Sequence, residues 1–469
     1  MHRKRPFAHG RTFIFLNLSW ICALLGVLVS PDLGLAQVQT AWVARFKGAY
    51  GKTEPSALAL DGQGNVYVTG GSRTANGFAD YFTLKYNNAG SQRWARFYNG
   101  LTSSHDDYDC ARAIAVDGQG QVYVTGQSSG TGDNFSDYLT LKYSSAGARL
   151  WTKRYNGPQK SIDVARALAV DSQGNICVTG ESAGLVNNVD TGFDIATLKY
   201  SPTGQLLWLR RHATFLSYRK DVTDGGHAVA VDQQDNVYVT GESAWKCVTL
   251  KYSPGGQRQW VRYYAGPTGA YGSAASALAV DAQGYAYVTG RSSSGKDIYD
   301  WDYVTIKYSP SGQQLWVARY DGPASDMDLA AAIAVDGQGN VYVTGHSYDN
   351  DSKFDYATVK YGPNGKELWV RRYNGPGNDN DEARAIALDA QGNAYVTGYS
   401  KGLEYGYAWS DYATIKYSPD GEELWVARYD GPGSFSSDQA TALKVDAQGN
   451  VYVTGISGKD CVTIKYTQP

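Results

Sequence analysis

Acidic and basic side chains recur at fixed spacing in this chain, in a pattern that could form a polar site. Six aspartates lie eight residues before a second, repeated aspartate: Asp109, Asp163, Asp224, Asp328, Asp381 and Asp438. Four basic residues follow three positions later: Arg112, Arg166, His227 and Arg384. Two interpretations stay open. The side chains could line a ligand site, or each aspartate could pair with its arginine or cap a turn.

Aromatic side chains that do not recur offer a second kind of binding residue. The tyrosines that stand outside the repeated pattern are Tyr299, Tyr348, Tyr405 and Tyr407. If exposed, they could stack on sugar rings or anchor a protein partner. The alternative is that they are ordinary loop tyrosines.

Carboxylates also cluster in three segments, and Ca²⁺ prefers such oxygen ligands. The clusters are Asp297, Asp300 and Asp302; Asp349, Asp351 and Asp355; and Asp379, Asp381 and Glu382. None has the spacing of a calcium-binding loop, so calcium is a secondary possibility and we expect no metal or cofactor.

Motifs of the common catalytic sites are absent from the sequence. After residue 36, the histidines are His105, His212, His227 and His346, and they lack metal-ligand spacing. No G-x-S-x-G elbow and no phosphate-binding Walker loop occurs. We therefore favour a non-enzymatic role, although a catalytic one stays open.

A repeated stretch dictates the elements that must position these residues. Variants of AIAVDGQGNVYVTGHS (332–347) occur eight times. Their landmark aspartates are Asp61, Asp117, Asp171, Asp232, Asp281, Asp336, Asp389 and Asp446. A period of 49–61 residues marks a repeat architecture.

Each repeat predicts four antiparallel strands, which we name a to d. Around residues 331–373, AAIAVD, VYVTG, FDYATVKY and LWVRRY read as strands separated by glycine-rich turns. A four-stranded unit cannot bury both of its faces alone, whereas radial stacking of units does so. The sequence therefore predicts an all-β fold, a single eight-bladed β-propeller over residues 37–469.

The chain order predicts how the propeller closes. AWVARF (41–46) is a d strand that precedes every a, b and c strand, and the last repeat lacks its own d strand. We therefore expect the N-terminal strand to complete the last blade, in a 1 + 3 closure that leaves no open edge. In this arrangement the b–c and d–a loops share one face, and they vary. The a–b and c–d turns share the other face, and they are nearly uniform.

Four cysteines follow residue 36, and the repeat predicts that they form no disulfide. Cys247 and Cys461 occupy equivalent places in blades 4 and 8, which are diametrically opposite. Their Cα atoms cannot approach the roughly 4.4–6.8 Å that a disulfide needs. We expect Cys110, Cys177, Cys247 and Cys461 to be buried packing residues.

The N-terminal segment has the features of a secretory signal. Residues 1–36 combine four basic residues, an apolar run over 13–29 and a small-residue cleavage site at Gly34-Leu35-Ala36. An uncleaved anchor is the alternative. Without this segment the formal net charge of −2 becomes −5, which argues against nucleic acid or an anionic membrane as partner.

The run AVDxxGNVYVTGxS…DYxTxKYxxxGxxxWxxRYxGP, present over 41–466, resembles the SBBP-type bacterial β-propeller repeat family. The resemblance implies a secreted or surface-exposed bacterial protein, found outside the cell, at its surface or in the periplasm, with no defined activity. We expect a monomeric binding or scaffold module that uses its variable loops to contact a protein or glycan. The alternative is a hydrolase or lyase that acts on polysaccharide with carboxylates at the channel mouth.

Overall fold

The computed structural model is an eight-bladed β-propeller, as predicted. It describes residues 38–75, 77, 79–100, 109–129, 135–186, 189–214, 224–295, 300–404, 407–432 and 436–468, and residues 38–468 form one compact unit. The predicted signal at 1–36 lies outside the described residues. All regular elements of the described residues are strands, and no described helix is long and apolar enough to cross a membrane.

The strands follow the chain in groups of four, after an initial β1 (Gln39–Phe46). Blades 1 to 4 comprise β2 (Thr53–Leu60), β3 (Val66–Arg73), β4 (Ala79–Tyr86), β5 (Gln92–Tyr98); β6 (Cys110–Val116), β7 (Val122–Ser129), β8 (Ser136–Tyr143), β9 (Arg149–Tyr155); β10 (Asp163–Val170), β11 (Ile176–Val186), β12 (Val189–Tyr200), β13 (Leu206–His212); β14 (Asp224–Val231), β15 (Val237–Ser243), β16 (Lys246–Tyr252), β17 (Arg258–Tyr264). Blades 5 to 8 comprise β18 (Ser273–Val280), β19 (Ala286–Ser293), β20 (Trp301–Tyr308), β21 (Gln314–Tyr320); β22 (Asp328–Val335), β23 (Val341–Asp349), β24 (Lys353–Tyr361), β25 (Glu367–Tyr373); β26 (Asp381–Leu388), β27 (Ala394–Glu404), β28 (Tyr407–Tyr417), β29 (Glu423–Tyr429); β30 (Asp438–Val445), β31 (Val451–Ser457), β32 (Asp460–Thr467).

Strand β1 completes the eighth blade, which confirms the 1 + 3 closure. The strand order of that sheet is β1-β32-β31-β30, and Val43 is paired with Ile464. In the other seven sheets the four strands are paired in sequence order. The variable and constant faces are therefore arranged as the meander predicts.

The landmark aspartates close the a–b turns. In blade 6, Asp336 accepts hydrogen bonds from the backbone N–H groups of Gln338 (2.9 Å) and Asn340 (2.8 Å) through one carboxylate oxygen. Gly339 has a φ of +80°, a conformation that glycine adopts without steric cost. These aspartates are structural residues of the constant face.

Each glycine of a c–d turn lies against a tryptophan of the preceding blade. A Cβ on Gly365 would stand 2.7 Å from the Trp316 ring, and the Trp316 indole N–H donates to the Pro363 carbonyl (3.0 Å). The same contact recurs at six other glycines: Gly90, Gly147, Gly204, Gly256, Gly312 and Gly421. The Gly-x-x-x-Trp spacing within a blade thus serves packing between blades.

Blade 8 lacks a c–d turn, because β32 and β1 are distant in sequence. The indole N–H of Trp425 in blade 7, which would donate to that turn, is buried without a hydrogen-bond partner among the described residues. The side chain of Gln468 takes part of the turn's place: it accepts from the Lys416 ammonium and donates to the Gly449 carbonyl (2.6 Å). Five other lysines at the Lys416 position donate to a proline carbonyl of a turn, as Lys360 does to Pro419 (2.7 Å).

An arginine of strand d ties neighbouring blades together beneath the variable face. The Arg372 guanidinium is bonded to Asp355 (2.8 Å) and to the Ser347 hydroxyl (2.5 Å) in its own blade, and to the Tyr320 hydroxyl (3.2 Å) of the preceding one. Equivalent Arg–Asp pairs are made by Arg45, Arg154, Arg211, Arg319 and Arg428. Blades 1 and 4 carry Phe97 and Tyr263 in this place.

The b strands form the core of each blade and are buried on both faces, because blades stack against both sides. Val341, Tyr342 and Val343 are fully buried. The cysteines belong to this packing: Cys110, Cys177, Cys247 and Cys461 are buried thiols of blades 2, 3, 4 and 8. The predicted absence of a disulfide among them is confirmed.

Candidate functional site

A β-bulge in strand a of every blade sets one residue apart from the strand ladder. Pairing with strand b is interrupted at a single residue near the variable face. A bulge leaves its residue outside the ladder and re-aims its side chain. The bulged residues are Ser56, Arg112, Arg166, His227, Ser276, Ala331, Arg384 and Thr441.

Five of these bulged positions line one cavity of about 540 Å³. They come from blades 1 to 5, so only the axis can bring them together. The charged or titratable groups of the lining are Arg112, Arg166, His227, Glu242 and Arg291. We call this space the axial cavity.

The guanidinium groups of the axial cavity differ in their partners. Arg166 forms an ion pair with Glu181 at 2.7 Å. Arg112 donates to the amide oxygen of Gln127 at 3.3 Å. Arg291 lies over the Trp301 ring, 5.2 Å from its centroid, a distance at which a cation is attracted to the ring face.

A backbone hydrogen bond orients the His227 imidazole. Its Nδ1 lies 2.7 Å from the Ala275 carbonyl, so Nδ1 carries a proton and donates it to this oxygen. Burial lowers the pKa of His227. The hydrogen bond to Ala275 and the charge of Glu181 oppose this shift, while the charges of Arg166 and Arg291 add to it.

Glu242 is the carboxylate of the axial cavity. Burial raises its pKa, and the charge of Asp224 raises it further, while Arg291 opposes the shift. Paired groups whose pKa values are displaced in this way are typical of ligand-binding or catalytic sites.

Arg384 and its neighbours lie outside the axial cavity. The Arg384 guanidinium donates to Gln439 (3.2 Å), lies 3.9 Å from Glu382 and stacks on the Tyr399 ring at 4.9 Å. Its charge is thus satisfied within blades 7 and 8.

The six predicted aspartates brace loops, and among the described residues no ion pair joins any of them to the basic residue that follows four of them three positions later. Asp381 is fully buried and accepts from the N–H groups of Gly375 (2.5 Å) and Lys401 (2.8 Å), which joins the d–a loop to the b–c loop. The others accept from equivalent backbone groups: Asp109, Asp163, Asp224, Asp328 and Asp438. Capping is thus the role that the structure shows for them. Burial raises the pKa of Asp328 and of Asp381 to about 6.

The predicted loop tyrosines fall largely outside what the structure describes. Tyr299, Tyr405 and the side chain of Tyr407 are not among the described residues. Tyr348 is half-buried, with its ring 5.3 Å from that of Phe354. Two other aromatic residues of the variable face are more exposed: Tyr271 (56 %) and Trp245 (37 %).

Of the acidic clusters, one gathers three carboxylates in blade 5. Asp300, Asp302 and Asp321 each place an oxygen within 4.8 Å of the others. The Arg319 guanidinium is bonded to Asp302 at 2.5 Å and supplies positive charge there. The sequence pointed to Asp300 and Asp302, whereas Asp321 comes from the following d–a loop. Asp297 lies outside the described residues.

Sequence reasoning missed Glu242 and Arg291. Both occupy the variable position of the repeated strand-b motif VYVTGxS. Across the blades this position holds Gly71, Gln127, Glu181, Glu242, Arg291, His346, Tyr399 and Ile456. One varying residue inside an otherwise uniform motif was the signal that could have identified them.

The SBBP β-propeller repeat matches residues 41–76 and 368–404, which confirms the resemblance. An uncharacterised WD repeat-containing protein of Acanthamoeba polyphaga mimivirus is 24 % identical over 474 residues, a match that covers 81 % of this chain and 31 % of that protein. The chain therefore spans about a third of the length of this relative.

Solved structures similar to this chain are distant ones. A protein from Lactobacillus plantarum is 14 % identical, covers 68 % of this chain and 85 % of its own, and has a TM-score of 0.44. A WD40 β-propeller domain is 10 % identical and covers 92 % of this chain and 97 % of its own. A polysaccharide lyase is 11 % identical and covers 90 % of this chain and 92 % of its own. Both have TM-scores of 0.44.

Proposed function

We propose that the protein is a secreted or cell-surface binding module, monomeric and non-enzymatic, that recognises a protein or glycan through its variable face. The predicted secretory signal over residues 1–36 supports the location. The mildly acidic composition, with a formal net charge of −2, does not favour nucleic acid.

The observation that best supports this proposal is that the repeated polar residues and the variable ones have different roles. The residues that repeat in all or most blades have structural roles: landmark aspartates in turns, strand-a aspartates in loops and strand-d arginines between blades. The bulged residues, by contrast, vary among the blades, and five of the eight line the axial cavity. A rigid frame that presents individual side chains on one face is suited to recognition.

Capture of ligands by matched surface variants tests this proposal. Purified protein is applied to a glycan array and to bacterial envelope extracts. The variable-face variant Tyr50→Ala/Tyr271→Ala removes two exposed tyrosines; the control Gln338→Ala/Gln391→Ala alters two exposed a–b turns. We expect the first variant to lose captured ligand and the control to retain it. Loss in the control alone, or no ligand retained above an unrelated propeller, would contradict the proposal.

A polysaccharide-acting hydrolase or lyase is the second candidate, and one observation favours it. Glu242, with a raised pKa, and His227, with a lowered pKa, line the same cavity, as acid and base groups of an active site do. Turnover of a polysaccharide by the wild type, abolished by Glu242→Gln with folding intact, would replace the binding proposal. The six loop-bracing aspartates are less suited to this chemistry because their oxygens hold backbone N–H groups.

A further inference from the structure

The axial cavity carries an excess of positive charge in a protein whose net charge is negative. Three guanidinium groups, those of Arg112, Arg166 and Arg291, line it with one carboxylate, Glu242, and Arg166 is also paired with Glu181 at 2.7 Å, so one positive charge remains in excess. The formal net charge of the whole chain is −2. A concave site lined by one sign of charge concentrates ligands of the opposite sign.

Two of these guanidinium groups remain available to an anion. Within the described part of the chain, no ion pair joins Arg112 or Arg291 to a carboxylate; their contacts are Gln127 and the Trp301 ring. Arginine is well suited to carboxylates, because its planar fork can donate two parallel hydrogen bonds.

Aromatic side chains lie beside the cationic part of the cavity. Gly272 lies between the Trp245 and Trp301 side chains, since a Cβ there would stand 3.3 Å from Trp245 and 3.7 Å from the Trp301 ring. The Ser273 N–H donates to the Trp245 carbonyl at 2.8 Å, and the next residue, Ala274, lines the cavity. Trp245 and Tyr271 are 37 % and 56 % exposed, and Trp301 stacks on Arg291. Aromatic rings beside guanidinium groups suit a ligand with an apolar ring face and an acidic group.

We infer that the axial cavity binds an acidic saccharide, with a uronate carboxylate held by Arg291 and the sugar ring placed towards Trp245 and Tyr271. This inference rests on the proposed function, since it names the ligand class for the same face. The cavity volume of about 540 Å³ lies in the range of small-molecule sites. A pyranose unit enters it from the variable face, and the rest of the chain lies across the loops.

Calorimetric titration with trigalacturonate at low ionic strength tests this inference, and fully methyl-esterified trigalacturonate is the neutral control. We expect the free acid to bind at least about ten-fold more tightly than the ester. Arg291→Gln should weaken acid binding by about ten-fold or more, as expected for loss of a hydrogen bond to a charged group. Arg291→Lys, which keeps the charge, should recover part of the affinity.

Arg384→Gln is the matched control, because Arg384 occupies the equivalent bulged position of blade 7 outside the cavity. It should change the affinity by less than about two-fold, as surface substitutions usually have small effects. Near-ultraviolet circular dichroism verifies that each variant is folded. Equal binding of acid and ester, no saturable binding, or inorganic phosphate binding as tightly as trigalacturonate would overturn the inference.

The outcome also separates this inference from the proposed function. If envelope ligand is captured by the wild type, is lost in the Tyr50/Tyr271 variant, and is neither displaced by trigalacturonate nor affected by Arg291→Gln, the proposed function stands and the acidic-saccharide assignment fails. If the wild type captures no ligand and binds no uronate, both fail.

Discussion

Replacing Gly365 by alanine should destabilise the propeller, because this glycine lies against an indole ring of the neighbouring blade. Its φ is +82°, and a Cβ would stand 2.7 Å from Cδ2 of Trp316. A left-handed conformation costs a residue with a Cβ about 1–2 kcal/mol. The ring must also move, which strains the 3.0 Å hydrogen bond to Pro363 and costs about 1 kcal/mol more. With lost packing, we expect a decrease of about 2–4 kcal/mol in the free energy of unfolding.

Urea unfolding followed by tryptophan fluorescence measures this effect, and Gly362→Ala is the control. Gly362 belongs to the same turn, has no positive φ, and would place its Cβ 3.3 Å from the flexible Asn364 side chain. The control should cost less than about 1 kcal/mol. Equal losses in the two variants, or a loss below about 0.5 kcal/mol for Gly365→Ala, would refute the inter-blade role of the glycine.

Three further predictions concern the seam, a buried acid and the thiols. Arg45→Gln removes hydrogen bonds from β1 to Asp460 (3.0 Å) and to the Tyr429 hydroxyl (2.8 Å) of blade 7. It should lower the free energy of unfolding by about 2–4 kcal/mol and speed amide exchange at Val43. The control Arg73→Gln, at an exposed position, should do neither. Because burial raises the pKa of Asp328 to about 6, the folded state takes up a proton that the unfolded state lacks between about pH 4 and 6. The stability advantage of wild type over Asp328→Asn should therefore be about 1 kcal/mol larger at pH 5 than at pH 7, as chemical denaturation at the two pH values will show; an unchanged difference would mean that the carboxyl titrates normally. Burial raises the pKa of Cys177 and of Cys461 to about 12 and that of Cys247 further, so iodoacetamide at pH 8 should label these thiols only in denaturant; rapid labelling of native protein would show that they are accessible.

Much of the frame could be predicted from local signals. The eight repeats, their turns and the displaced d strand at Trp42 fix the blade number and the closing strand, because turn chemistry and strand alternation are local properties. The equivalence of Cys247 and Cys461 followed from the same register. The tryptophan that each turn glycine contacts could not be predicted from the sequence. Gly365 contacts Trp316 of the preceding blade, whereas the Gly-x-x-x-Trp spacing relates residues within one blade.

The site was predicted less well, for a physical reason. Asp109 and Arg112 are three residues apart, which suggested pairing or a shared site. The β-bulge at Arg112 makes the two side chains point in different directions. The aspartate turns into the loops, whereas the arginine turns towards the axis. A bulge depends on the pairing of two strands and has no distinctive residue in this chain, since serine, arginine, histidine, alanine and threonine all occupy it.

The bulge has a consequence for how proteins of this architecture could diversify. A bulged residue contributes no rung to the strand ladder, so its side chain can be exchanged while the blade keeps its pairing; blades 5 and 6 already tolerate Ser276 and Ala331 there. Evolution could therefore change the chemistry at the axis by point substitution alone. An engineer could do the same, and use eight independent positions on one scaffold as a combinatorial library.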